Sequence, residues 1–167
     1  YDESGAGTPL LRAMLDDVLP AMSLWTPSAL SEPLLADWKT VLKKCREHQV
    51  HLNMYSNCTL LTGEKFEEMS ELVHKLWISF DSSTKEVFEM LRDRANFETV
   101  VTNVKDILRI ATERHVPVGF VAVLVKDNLE IMYELVDFLA DLGAVEAGCD
   151  LRVQPMLDNA VRCRDQN

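Results

Sequence analysis

The residues with chemistry to offer cluster just behind the apolar runs of the chain. Glu32 lies in "SALSEPLL", behind the run Ala21–Trp25, with Ser28 and Ser31 beside it. Ser56, Asn57 and Cys58 follow Val50–Tyr55, and Ser79 and Asp81 close Leu76–Phe80. Lys126, Asp127 and Asn128 follow Val116–Val125, and Gln154 with Pro155 follows the weaker run Leu151–Val153. If the runs are parallel strands joined by helices, these positions share the carboxyl-terminal edge of one sheet, where βα architectures bind ligands. Hydroxyls, amides and carboxylates without a histidine pair suit a polar, zwitterionic small molecule better than hydrolysis.

Taken singly, each position also has a purely local reading. Ser31 caps a helix opened by Pro33, with Glu32 favoured there by the helix dipole. Asn57 tolerates a left-handed turn. Asp81, Ser82, Ser83 and Asn128 cap helices, and Arg92 is a solvated helix residue. Their shared location is what favours a site. No G-x-S-x-G, H-E-x-x-H, Walker loop or G-x-G-x-x-G occurs. His48, His51, His74 and His115 fall at helix ends or strand starts, the opposite edge of such a sheet, and Trp25, Trp38 and Trp77 read as filling between helices and sheet.

The elements that must position these groups alternate. Helical patterns run over 9–19, 34–47, 64–74, 85–92, 97–114 and 129–142. The last places Leu129, Met132, Leu135, Val136 and Leu139 on one stripe and stops at Gly143. Ser83 with Glu86 spells a capping box, and Thr62 reads as an N-cap. "VPVGFVAVLV" is almost continuously apolar, the mark of a strand covered on both faces. Repeated strand–helix units imply α/β architecture with a parallel sheet, either a doubly wound open sheet or part of a βα barrel.

The bulk properties bound the function. A chain of 167 residues, 47% of them hydrophobic, makes one domain with a genuine core, residues 1–8 and 157–167 reading as frayed ends. A net charge of −10 with no Lys/Arg cluster argues against nucleic acid. No apolar stretch reaches the roughly 18 residues of a membrane span, and no signal peptide is visible. The four cysteines, Cys45, Cys58, Cys149 and Cys163, are too far apart for a zinc pair or a compact iron–sulfur run, and free thiols fit a reducing, cytoplasmic setting. A chain opening on Tyr1 rather than Met reads as part of something longer.

Read together, these segments resemble the radical S-adenosylmethionine superfamily from about Leu10 to Pro155. "SEPLL" is similar to the end of that family's "GGEP" element, and "NMYSNCTLLT" to its "TNG" segment. "LWISFDSSTKEVFEMLRDRANFETVVTNVKDIL" resembles its "iSiDg" strand and the helices that follow. "VPVGFVAVLVKDNLEIMYELVDFLADLGA" resembles the next strand and helix, including a characteristic asparagine.

The resemblance implies a partial, open TIM-like barrel of parallel βα repeats that binds S-adenosylmethionine along its strand ends, with Glu32, Asn57, Ser79, Asp81, Arg92, Ser31 and Ser56 as candidate cofactor-binding residues. Glu32 would accept the methionine amino group, and Pro33 would set the helix start that holds it. Ser79 would meet the ribose or carboxylate region, Arg92 would meet the methionine carboxylate, and Asn57 would shape the loop beside them. The full enzyme would cleave S-adenosylmethionine reductively and abstract hydrogen from a peptide or small-molecule substrate, with a reductase as a possible partner. The family's CxxxCxxC, which holds a 4Fe–4S cluster, is absent, so a cluster is expected only if cysteines lie upstream in the full-length protein. Leu30 and Ser31 stand at the two glycines before Glu-Pro, and Cys58 replaces another glycine. Those departures favour an alternative, a degenerate cluster-free binding or scaffold module. An unrelated α/β protein with a phosphate or nucleotide site would want the glycine-rich loop this chain lacks.

Overall fold

Strand order separates the two sheet architectures that apolar periodicity leaves open. A computed structural model of the protein describes residues 7–27 and 32–156, with side chains from Ala13 onward. Helix α1 (Gly7–Val18) runs into a 3-10 turn (Leu19–Ala21) and the short strand β1 (Leu24–Trp25). A second 3-10 turn (Pro33–Leu35) precedes α2 (Trp38–His48) and β2 (His51–Ser56). Then come α3 (Gly63–Met69), β3 (Val73–Ser79), α4 (Lys85–Leu91), α5 (Phe97–Arg114), β4 (Val118–Leu124), α6 (Met132–Asp141) and β5 (Asp150–Pro155). The strands lie in the order β1-β2-β3-β4-β5, every neighbouring pair parallel. Right-handed crossovers that always step the same way put all their helices on one face, whereas a doubly wound sheet must reverse direction. The sheet is therefore a section of βα barrel.

The helix-covered face carries the core. Leu52 and Met54 of β2, Leu76 and Ile78 of β3, and Phe120 and Ala122 of β4 alternate along their strands into one buried cluster with Phe66, Phe88, Val104, Ile107 and Leu135. Val118–Ala122 is buried residue by residue, as the continuous apolar run requires. Helices α3 and α5 approach closely at Gly63, where a Cβ would lie 2.7 Å from the Asp106 Cβ.

Helix 97–114 has the predicted bounds because both ends are signalled. Asn96 accepts from the Thr99 amide at 2.9 Å, and His115 closes the helix in the left-handed region at φ 56°. Other boundaries move. Pro33 opens only a 3-10 turn, and α2 starts later, at Trp38, capped by Asp37 accepting from the Thr40 amide. The pattern over 64–74 splits, because Leu72 and Val73 turn back to Met69 and Ser70 and feed β3. Helix α4 is capped at Thr84 without a side-chain bond, so Ser83 and Glu86 form no capping box. Thr62 does accept from the Lys65 amide. On α6, Leu135 and Leu139 are buried but Val136 is exposed, as is Leu129 ahead of the helix.

Candidate functional site

Glu32 leaves the 3-10 turn in extended conformation and reaches the end of β2. The Ser56 hydroxyl donates to both its carboxylate oxygens, at 3.1 and 3.0 Å, and the Asn57 amide donates to Oε2 at 2.9 Å. Burial raises the Glu32 pKa; the Asn57 amide and the Ser56 hydroxyl pull it back only in part. Among the described residues no cation pairs with this half-buried carboxylate. An anion held by neutral donors, short of a counter-charge, is a ready acceptor for an ammonium.

The turn after β2 is built around the same atoms. Ser56 Oγ accepts the Cys58 amide at 3.0 Å, and Asn57 Oδ1 accepts both the Thr59 amide and its hydroxyl. Cys58 takes φ 56°, the left-handed region that favours glycine. Its carbonyl is pinned by the buried Asn103 Nδ2 at 2.9 Å, reaching from α5. Desolvation pushes the buried Cys58 thiol up to about 12; Glu32 raises it further and Arg92 opposes, so both charges act on this one turn.

A second cluster sits above the ends of β3 and β4. Asp81 pairs with Arg92 at 2.6 Å through Oδ2 and accepts the Val123 amide at 2.8 Å through Oδ1. The side chain thus adds a rung to the β3–β4 ladder beyond the Phe80 amide, which donates to Val121. Fully buried Asn128 donates to the Asp81 and Val123 carbonyls, both at 2.8 Å, and accepts the Val125 amide at 2.9 Å. Asn128 is therefore a staple between two strand ends rather than the N-cap of α6, whose cap is Ile131. Arg92 is no solvated helix residue: it lies just past α4 with its charge committed to Asp81, leaving its buried Nε without a partner. Half-buried Ser79 ends β3, and its hydroxyl has no partner among the described residues.

The register puts Ser56 beside Ile78 and Ser79 beside Val121, so Glu32, Ser56, Asn57, Ser79, Asp81 and Arg92 occupy one rim. Ser31, Ser28 and Leu30 lie outside the described residues. Lys126, Asp127 and Gln154 are exposed. His48 and His51 flank the start of β2, His74 starts β3 and His115 closes α5, all at the other end. Sequence reading missed Asn103, which sits inside an ordinary helical pattern, and placed Asn128 at the strand ends without its stapling role.

The described cysteines do not fit an iron–sulfur cluster. Cys45, Cys58 and Cys149 are separate free thiols, raised by desolvation to about 11, 12 and 11. The one three-residue group with metal-ligand spacing among the described residues is Asp16, Glu47 and His48, at the far end of the sheet. Lys44 already takes it up, at 2.6 Å from Asp16 and 2.9 Å from Glu47. No described helix is long and apolar enough to cross a membrane.

No protein-family model and no curated protein matches the sequence. Solved structures do match in fold. Native anSMEcpe with bound AdoMet and Cp18Cys peptide superposes with a TM-score of 0.65 at 15% identity, over 89% of this chain and 43% of that one. Streptococcus suis SuiB bound to S-adenosylmethionine gives 0.65 at 16%, over 93% and 35%, and SuiB bound to its precursor peptide SuiA gives 0.56 at 18%, over 73% and 26%. The chain thus spans less than half the length of each. With one-directional strand order and helices on a single face, the chain has the partial βα-barrel fold of the radical S-adenosylmethionine enzymes.

Proposed function

We propose that this chain binds S-adenosylmethionine along the carboxyl-terminal rim of its sheet, as part of a longer radical S-adenosylmethionine enzyme. One observation carries the reading: the Glu32 carboxylate is half-buried, oriented by Ser56 and Asn57, and lacks a cationic partner among the described residues. The methionine ammonium supplies that charge. Ser79 offers its hydroxyl to the ribose or carboxylate region, and Arg92 offers its unpartnered Nε–H to the carboxylate. Asn57 fixes the turn beside them, Asp81 holds Arg92, and Ser31 is a further candidate as the sequence neighbour of Glu32. Bound S-adenosylmethionine supplies, through reductive cleavage, the means to abstract a hydrogen atom from a substrate. This chain's residues bind and orient it, and no step here runs through a cluster that the described cysteines do not fit. The bound peptides of anSMEcpe and SuiB support a peptide substrate over a small molecule, with an electron donor as a further partner of the longer enzyme, in the cytoplasm.

Calorimetric titration with S-adenosylmethionine tests the reading. Saturable binding is expected, weakened about ten- to a hundredfold in Glu32→Gln, the equivalent of a charge-assisted hydrogen bond. No heat with the unaltered chain overturns it.

A second reading has its own observation. Cys58 holds a left-handed backbone where the family has glycine, and its side chain packs into the core beneath the turn. That favours a cluster-free binding module of the same fold. Full-length protein that stays colourless after anaerobic iron and sulfide reconstitution, yet still binds S-adenosylmethionine, would select it.

A further inference from the structure

The helix-free face of the sheet carries a constellation unused by the rim. Alternation along β3 sends Leu76 and Ile78 into the core and Lys75, Trp77 and Ser79 to the other side. Trp77 is only 3% exposed yet stands outside the helix-side core cluster. Its indole lies across β4 in space freed by Gly119, where a Cβ would come within 2.4 Å of the ring. Tyr55 stacks beside it, with ring centroids 6.3 Å apart. Two cations lie over it: Lys75 Nζ at 4.2 Å and the Arg152 guanidinium carbon at 3.8 Å.

The two cations differ in what they have left to give. Lys75 is bound to Asp150 at 2.7 Å, and that pairing is the main cause of the lowered Asp150 pKa. Arg152 is exposed and forms no salt bridge among the described residues, its nearby Asp150 being bound instead by Lys75, in a chain whose net charge is −10. Stacking occupies a guanidinium's face and leaves its in-plane N–H edge free, the arrangement that grips a carboxylate with two parallel bonds. The register also places it usefully. Ser79 pairs with Val121, and Val121 with Arg152, so the arginine shares a rung with Ser79, two strand spacings or roughly 10 Å away.

We propose that Arg152, held flat on Trp77, recognises a carboxylate of the substrate, which lies on the helix-free face next to the rim. The carboxylate belongs to an acidic peptide side chain or to a small carboxylic acid. This deepens the proposed function and rests on it, because a substrate there is useful only beside a bound S-adenosylmethionine.

The full chain is titrated by calorimetry with acetyl-Glu-Glu-Glu-amide, its tri-glutamine counterpart and glutarate. Tri-glutamate or glutarate is expected to bind at least about tenfold more tightly than tri-glutamine, and the stronger of the two identifies the source of the carboxylate. Arg152→Gln is expected to lose about tenfold or more of that affinity, and Arg152→Lys to recover only part of it. Arg152→Gln should still bind S-adenosylmethionine within about twofold of the unaltered chain. Equal binding of tri-glutamate and tri-glutamine without binding of glutarate, or unchanged acid affinity in Arg152→Gln, overturns the proposal. Failure of S-adenosylmethionine to bind the unaltered chain strikes the rim reading alone, since the acid titrations read Arg152 directly.

Discussion

Glu32 carries two pH dependences of opposite direction. Its folded-state pKa lies above the usual 4.5 because of burial, so the folded chain holds this proton more tightly than the unfolded chain. Its contribution to stability is therefore greatest at low pH and falls as pH rises from the usual glutamate value through the raised one. An ammonium needs the ionised form, so affinity for S-adenosylmethionine should rise across that same interval. Glu32→Gln should abolish the rise in a calorimetric pH series and remove the residue's share of the falling slope in urea titrations. Cys58 makes a separate prediction. A buried thiol raised to about 12 is almost wholly protonated near neutrality, and the thiolate is the nucleophile. Iodoacetamide at pH 8 should leave Cys58 unmodified in the folded chain and label it once urea unfolds the protein, read by peptide mass mapping. Rapid labelling of the native protein would show that the turn opens.

Between elements, the link most exposed to test is the bond from α5 to the turn after β2. Asn103→Ala strands the Cys58 carbonyl without its buried donor, at a cost of about 1–3 kcal/mol in urea unfolding. The same variant should weaken S-adenosylmethionine binding, because that turn presents the Asn57 amide to Glu32. How much of this was legible depended on range. Apolar runs marked all five strands, most plainly β4, whose burial on both faces leaves an unbroken stretch, and least plainly the mostly exposed β5. Helix α5 was readable because cap and stop are both local. The end of α3 was not, because Leu72 and Val73 fit a helical stripe equally well until β3 claims them. The rim positions of Glu32, Ser56, Asn57 and Ser79 followed from βα alternation. The Asp81–Arg92 pair did not, since both residues fit local roles until a tertiary contact joins them. The Trp77 platform was illegible for a further reason: it needs the register of β2, β3, β4 and β5 together.

At the scale of the whole molecule, β1 and β5 are the edges of the described sheet. An open edge offers unpaired amides and carbonyls to another chain. Strand β5 is mostly exposed, with Val153 45% accessible among charged and amide neighbours. Light scattering should show association that grows with concentration, and Val153→Lys should reduce it without lowering the melting temperature by more than about 2 °C. Equal scattering from both proteins would place the contact elsewhere. Finally, one aspartate fastens the two halves of this sheet where ordinary pairing stops. Asp81 grips Arg92 with one oxygen and the Val123 amide with the other, while its own carbonyl is held by Asn128. Removing that single side chain, as in Asp81→Ala, would take away both fastenings at once, one from the residue just past α4 and one from the tip of β4.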